Sequence, residues 1–131
     1  NVPMLLRDFQ ALLAAPWFAR LHALDLSHCA LGDRAVVALA KHPVARNLRD
    51  LRLANNPVGR IGLNALPARL AHPKLQSLHL TGLPLNDFGA LVVAKNAHLG
   101  TLRELRLGEG VTEHGLRALR ACDHLRQAAI I

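Results

Sequence analysis

Eight histidines and two cysteines carry most of the reactive chemistry this sequence could support. His42, His72, His98 and His124 stand six, three, four and one residues before the leucines at 48, 75, 102 and 125, so they form no aligned column of metal ligands. No His-x-x-x-His pair is available to share a helix face with a carboxylate, as a zinc site of that kind needs. Cys122, Asp123 and His124 are adjacent, but neighbours in sequence do not make a thiolate–imidazole pair. Gly108-Glu109-Gly110 is a single short turn without the following Lys and Ser/Thr of a phosphate-binding loop. Neither a Gly-x-Ser-x-Gly motif nor a paired-carboxylate motif occurs. The reading is therefore non-enzymatic, with no catalytic, metal-binding or cofactor-binding residues. The remaining chemistry belongs to arginine, whose planar guanidinium pairs bidentately with carboxylates.

The arginines sit inside a repeat. Leu21, Leu48, Leu75 and Leu102 are 27 residues apart, and each opens a Leu-x-x-Leu-x-Leu pattern. The pattern reads Leu21/Leu24/Leu26, Leu48/Leu51/Leu53, Leu75/Leu78/Leu80 and Leu102/Leu105/Leu107, with a degenerate fifth copy at Leu125/Ala128/Ile130. Its second half repeats as well, with Ala35, Gly62, Gly89 and Gly115 forming a small-residue column. A period of two within Leu-x-Leu predicts a short strand with one buried face. Leu63/Leu66/Leu70, Leu116/Leu119 and Val36/Leu39 have helical spacing. Asp33 and Asp87 are placed to cap the first turns, and Pro67 predicts a kink or early stop. Residues 4–19 read as the helix of an earlier, truncated unit covering one end, with Phe9, Leu12 and Leu13 at its apolar positions and Trp17 and Phe18 adding bulk.

These residues resemble leucine-rich repeats, with consensus Leu-x-x-Leu-x-Leu-x-x-Asn/Cys-x-Leu. The length of the unit and its Leu-Gly-Asp-x-Ala/Gly half look like the ribonuclease-inhibitor class. The resemblance implies an α/β solenoid: a fragment of a curved horseshoe with a parallel β-sheet on the concave face and α-helices on the convex face. Strands about 4.8 Å apart beside helices about 8–10 Å apart give the stack its bend. The chain is then one repeat domain over residues 1–131, with an N-terminal helix or partial unit at 1–20, repeats starting at 21, 48, 75 and 102, and a partial repeat at 125–131. The Asn/Cys position holds Cys29, Asn56, Leu83 and Gly110, so the last two depart from the family.

Alternation along the strands assigns the open, concave face. Its candidate partner-binding residues are His22, Asp25, Arg49, Asp50, Arg52, Gln76, His79, Arg103, Glu104, Arg106 and Arg126, with Ala129 placed in the column of Asp25, Arg52, His79 and Arg106. Pairing of these charges among themselves, for example Arg52 with Asp50, Glu104 or Asp25, is the competing expectation for any single residue. The face as a whole reads as a surface for a protein partner. A net charge of +7 makes an acidic partner the natural complement. A GTPase-activator-like regulator, from likeness to the repeat domain of Ran GTPase activators, and a fragment of a secreted bacterial effector are the alternatives. Nucleic acid ranks below these, because Asp25, Asp50, Glu104 and Glu109 share the face and no aromatic stacks there.

Composition bounds the rest. In 131 residues, 51% are hydrophobic and 3% aromatic, so the core is aliphatic. The apolar stretch 11–19 is too short for a membrane span and contains Pro16, so no membrane partner is expected. Cys29 and Cys122 lie three units apart, beyond a disulfide's reach of about 7 Å, which fits a reducing, cytoplasmic compartment. The chain opens on Asn1 and closes on Ala128-Ala129-Ile130-Ile131, so it reads as a fragment whose poorly capped last unit is suited to end-to-end self-association.

Overall fold

The leucine at the centre of each short strand dictates the architecture. A three-residue strand can bury only its middle side chain, so several must stack side by side to close a core. The computed structural model describes residues 6–59, 61–62, 65, 75–83, 87, 90–91, 102–107, 110–122 and 129–130. Its strands are β1 (Ala23–Asp25), β2 (Asp50–Arg52), β3 (Ser77–His79), β4 (Glu104–Arg106) and β5 (Ala129–Ile130). They form one parallel sheet in sequence order. Leu24, Leu51, Leu78 and Leu105 stand in register across β1 to β4. Leu51 and Leu105 are fully buried and Leu78 nearly so, and Leu48, Leu53, Leu75, Leu80 and Leu102 join them in the same core. The calculated period of 27 is thus the strand register from β1 to β4.

The fifth strand corrects the sequence alignment. Ile130, not Ala128, lies opposite Leu105, and Ala129 lies opposite Glu104. Ala129 therefore belongs to the column of Ala23, Asp50, Ser77 and Glu104, not to that of Arg106. A shift of two residues preserves the pleat, so Ile130 faces the core in either register. The observed one sets the branched side chain at the strand centre against Leu105, where an alanine would leave a void.

The described residues include helices α1 (Leu6–Leu13), α2 (Asp33–Lys41) and α3 (Glu113–Arg120), and Ile61, Gly62, Ala65, Asp87, Ala90 and Leu91 are helical as well. Val36 and Leu39 of α2 and Leu119 of α3 are buried in the core, as their spacing predicts, whereas Leu116 is half-buried. Leu63, Leu66, Leu70 and Pro67 lie outside the described residues. Helix α1 packs on α2, and a 3-10 turn at Phe18–Arg20 follows it. Phe9 and Phe18 are fully buried at this end of the core, while Trp17 is 55% exposed and adds no bulk to it. His42 locks the same corner. Its Nδ1 accepts the Val44 N–H at 3.0 Å, which leaves Nε2 to donate to the Leu13 carbonyl at 2.7 Å, and its ring meets Phe18 edge-on at 5.4 Å.

Two kinds of polar staple join consecutive units. Asn56 is 2% exposed, and its Oδ1 accepts the N–H groups of Cys29 and Leu31 in the preceding unit at 3.1 and 3.0 Å. Its Nδ2 donates to the carbonyls of Leu26 and Leu53, both at 2.9 Å. The second staple runs the other way along the chain. Asp33 was expected to cap its own helix, but α2 has Gly32 at its N-cap with no side-chain bond. The Asp33 Oδ1 instead accepts the N–H groups of Gly59 and Gly62, at 2.7 and 3.1 Å, where the next unit's helical stretch starts. Asp87 likewise accepts the Thr112 N–H at 2.8 Å and the Thr112 hydroxyl at 2.6 Å, ahead of α3. A helical carboxylate aimed sideways satisfies orphan N–H groups at the start of its neighbour.

Candidate binding face

The face opposite the core is built by the residues flanking each central leucine. Asp25, Arg52, His79 and Arg106 form one column, and Ala23, Asp50, Ser77 and Glu104 form the second. His22, Arg49, Gln76 and Arg103, one residue before each strand, form a third, exposed row. Arg126 lies outside the described residues.

Most charges in the first two columns are spent internally. Residues two apart on a strand share a face, so Arg52 pairs with Asp50 at 3.4 Å and Arg106 with Glu104 at 3.2 Å. Glu104 is the hub. Its Oε2 lies 2.9 Å from His79 Nε2 and accepts the Ser77 hydroxyl at 3.2 Å across the β3–β4 pair. Hydrogen bonding from His79, then from Arg106, holds the Glu104 carboxyl below its ordinary value. Asp25 accepts the Ser27 N–H at 3.0 Å, which lowers its carboxyl in turn. A shallow dent of about 300 Å³ lies between Asp25, Asp50 and Arg52 over Ala23, whose side chain is too small to fill it. The pairing expected within this face is therefore present, but it runs chiefly along strands rather than across them.

The third row differs. Among the described residues, the side chains of Arg49, Gln76 and Arg103 make no hydrogen bond or ion pair within the chain. His22 Nδ1 rests 3.2 Å from the Asn47 carbonyl. Sequence reasoning put Arg49 and Arg52 on equal terms; the structure separates them, one committed and one open.

Ser77, His79 and Glu104 bring together the residue types of a nucleophilic triad without its geometry. The serine and the glutamate both face His79 Nε2, at 3.0 and 2.9 Å, whereas a relay needs them on opposite ring nitrogens. Among the described residues no group of three or more His, Cys, Asp or Glu side chains could hold a metal ion. The thiols of Cys29 and Cys122 donate to the carbonyls of Ser27 and Ala118, at 3.5 and 3.1 Å. No helix among the described residues is long and apolar enough to cross a membrane.

The turns beyond the strands hold a feature that sequence reasoning passed over. His28, Asn55 and Gly82 occupy the same place in three units, and all three have left-handed backbone, with φ of 59°, 57° and 74°. Asn55 Nδ2 meets His28 Nε2 at 3.1 Å, and a side chain at Gly82 would collide with the Asn55 amide. Asn and Gly at this place were the available signal, since both tolerate positive φ. An open cleft of about 750 Å³ runs beside these turns, lined by Asn55, Asn56, Pro57, Thr81, Gly82, Leu83 and Gly110.

No curated protein matches the chain. A family model described as Leucine Rich repeat matches residues 21–40, which span β1, its turn and most of α2. With the in-register parallel strands and the helices between them, that match supports a leucine-rich repeat protein of α/β fold.

Proposed function

We propose that this chain is a non-enzymatic protein-binding module that receives its partner on the open, concave face of the sheet. Leucine-rich repeats generally mediate protein–protein interaction, and the observation that carries the reading here is the face itself. Eleven polar or charged side chains on and just before four strands, backed by one aliphatic core, make a broad and well-anchored surface. Its composition favours specificity over raw affinity, because it lacks the aromatic anchors that dominate tight interfaces. The 27-residue spacing and the helical half of the unit support assignment to the ribonuclease-inhibitor-like class. The strands and helices then curve as strand and helix spacing require.

Selection of displayed random peptides on the immobilised protein tests this. Arg52→Trp places a large ring at the centre of the face, and Ile61→Asp alters an exposed residue away from it. Selected peptides should lose binding to Arg52→Trp and keep binding to Ile61→Asp. Peptides lost on Ile61→Asp alone would move the site off the sheet and overturn the reading.

A further inference from the structure

We infer that the row formed by Arg49, Gln76 and Arg103 is the contact for an acidic, extended partner segment with two carboxylates three residues apart. This rests on the proposed binding face and names the chemistry it selects. The argument starts from the charge balance of the face. Asp25, Asp50 and Glu104 already accept hydrogen bonds from Ser27, Arg52, Arg106, Ser77 and His79. Arg52 and Arg106 are held in turn by those carboxylates. Arg49 and Arg103 are exposed and have no such partner among the described residues. The face carries four arginines against three carboxylates, so a basic partner would add to an existing positive excess, whereas an acidic one offsets it at the two open guanidinium groups.

The spacing narrows the class. Arg49 and Arg103 occupy equivalent places two strands apart, about 9.6 Å at the usual separation of about 4.8 Å. In polyproline II conformation every third residue returns to the same side after about 9.3 Å, so carboxylates at i and i+3 reach both arginines together. A β-strand cannot do this, because its residues i and i+3 point to opposite sides. Gln76 lies midway, where its amide can both donate to and accept from the segment's free backbone. Nucleic acid fits less well, because no Phe, Tyr or Trp side chain among the described residues of the face offers its bases a surface to stack on.

Fluorescence anisotropy with a labelled peptide of core Glu-Pro-Pro-Glu tests the assignment. Arg49→Ala and Arg103→Ala should each weaken binding roughly tenfold, the loss of one charged hydrogen-bonded pair. Arg34→Ala, on helix α2, removes the same charge from elsewhere and should leave binding within about twofold, as screening of a distant charge requires. A peptide with adjacent glutamates and one with glutamines should both bind more weakly than the parent. Equal loss with Arg34→Ala, no preference for the three-residue spacing, or tighter salt-sensitive binding of a short oligothymidine would each overturn the inference. If the displayed peptides still depend on the sheet face while lacking this spacing, the binding function stands and the acidic assignment falls.

Discussion

The turns after β2 and β3 occupy the same place in consecutive units and are held in different ways. After β2, Asn56 ties two units together, with its amide reaching the backbone of Leu26, Cys29 and Leu31 one unit back. After β3, Leu83 is buried in the same place and offers only apolar contact, and the N–H of Leu83 closes on Leu80 within its own turn at 3.3 Å. An asparagine here satisfies buried backbone groups that nothing else reaches; a leucine only excludes water from them. In a stack whose stability is a sum of neighbour interfaces, the two junctions therefore respond differently to substitution.

Asn56→Ala is the largest expected break. It orphans the N–H groups of Cys29 and Leu31 and removes donors to Leu26 and Leu53. At roughly 1–3 kcal/mol for each buried group left unpaired, partly recovered by water, the loss is about 3–5 kcal/mol. Urea unfolding should show it as a lower midpoint. Leu83→Ala should cost about 2–3 kcal/mol, towards the lower end for a buried leucine, because the adjoining cleft lets solvent reach the gap. A larger effect at Leu83 than at Asn56 would reverse the comparison and make apolar filling the stronger tie.

Much of this was legible in the leucine spacing. The 27-residue period specified the partners of every strand from β1 to β4, because a buried central leucine tolerates no slip of one residue. It failed at β5, where Ala128 and Ile130 both suit the alternation and only packing against Leu105 chooses between them. Charges were harder still. Asp33 and Asp87 were visible as capping residues, yet a sequence shows no sideways direction, and their bonds go to the unit that follows. The two columns on the strands were readable because the pleat fixes their side, whereas His22, Arg49, Gln76 and Arg103 precede the strands and are placed by their exposure. Which arginine was already paired was not, since Arg49 and Arg52 differ only in having Asp50 on the same side of the strand.

The carboxylate staples give a second, finer contrast, since Gly62 and Gly115 make the same approach to Asp33 and Asp87. A Cβ at Gly62 would lie 2.8 Å from both the Asp33 Oδ1 and the Val58 Cγ1, and one at Gly115 would lie 2.6 Å from the Asp87 Oδ1. Gly62→Ala should therefore destabilise by roughly 1–3 kcal/mol through overpacking, where an alanine in an unobstructed helix would help. Adding Asp33→Ala to Gly62→Ala should cost less than the sum of the two changes, because the second removes the atom the first collides with. Additive losses in thermal melts would mean that the carboxylate is not what the glycine accommodates.

The smallest expected effect is a pH dependence at Asp87. The Thr112 hydroxyl, followed by its N–H, holds the Asp87 carboxyl below the usual aspartate range in the folded chain. A carboxyl lowered by folding contributes stability that is fully present above its unfolded pKa, about 3.9, and is lost as pH falls through the folded value. Unfolding midpoints measured from neutral to acid pH should thus decline for the native sequence more steeply than for Asp87→Asn, whose amide does not titrate. Because Asp87 and Thr112 are both near the surface, added salt should shrink the difference. An identical acid limb in the two proteins would show that the Thr112 contact is too well solvated to link adjacent units through charge.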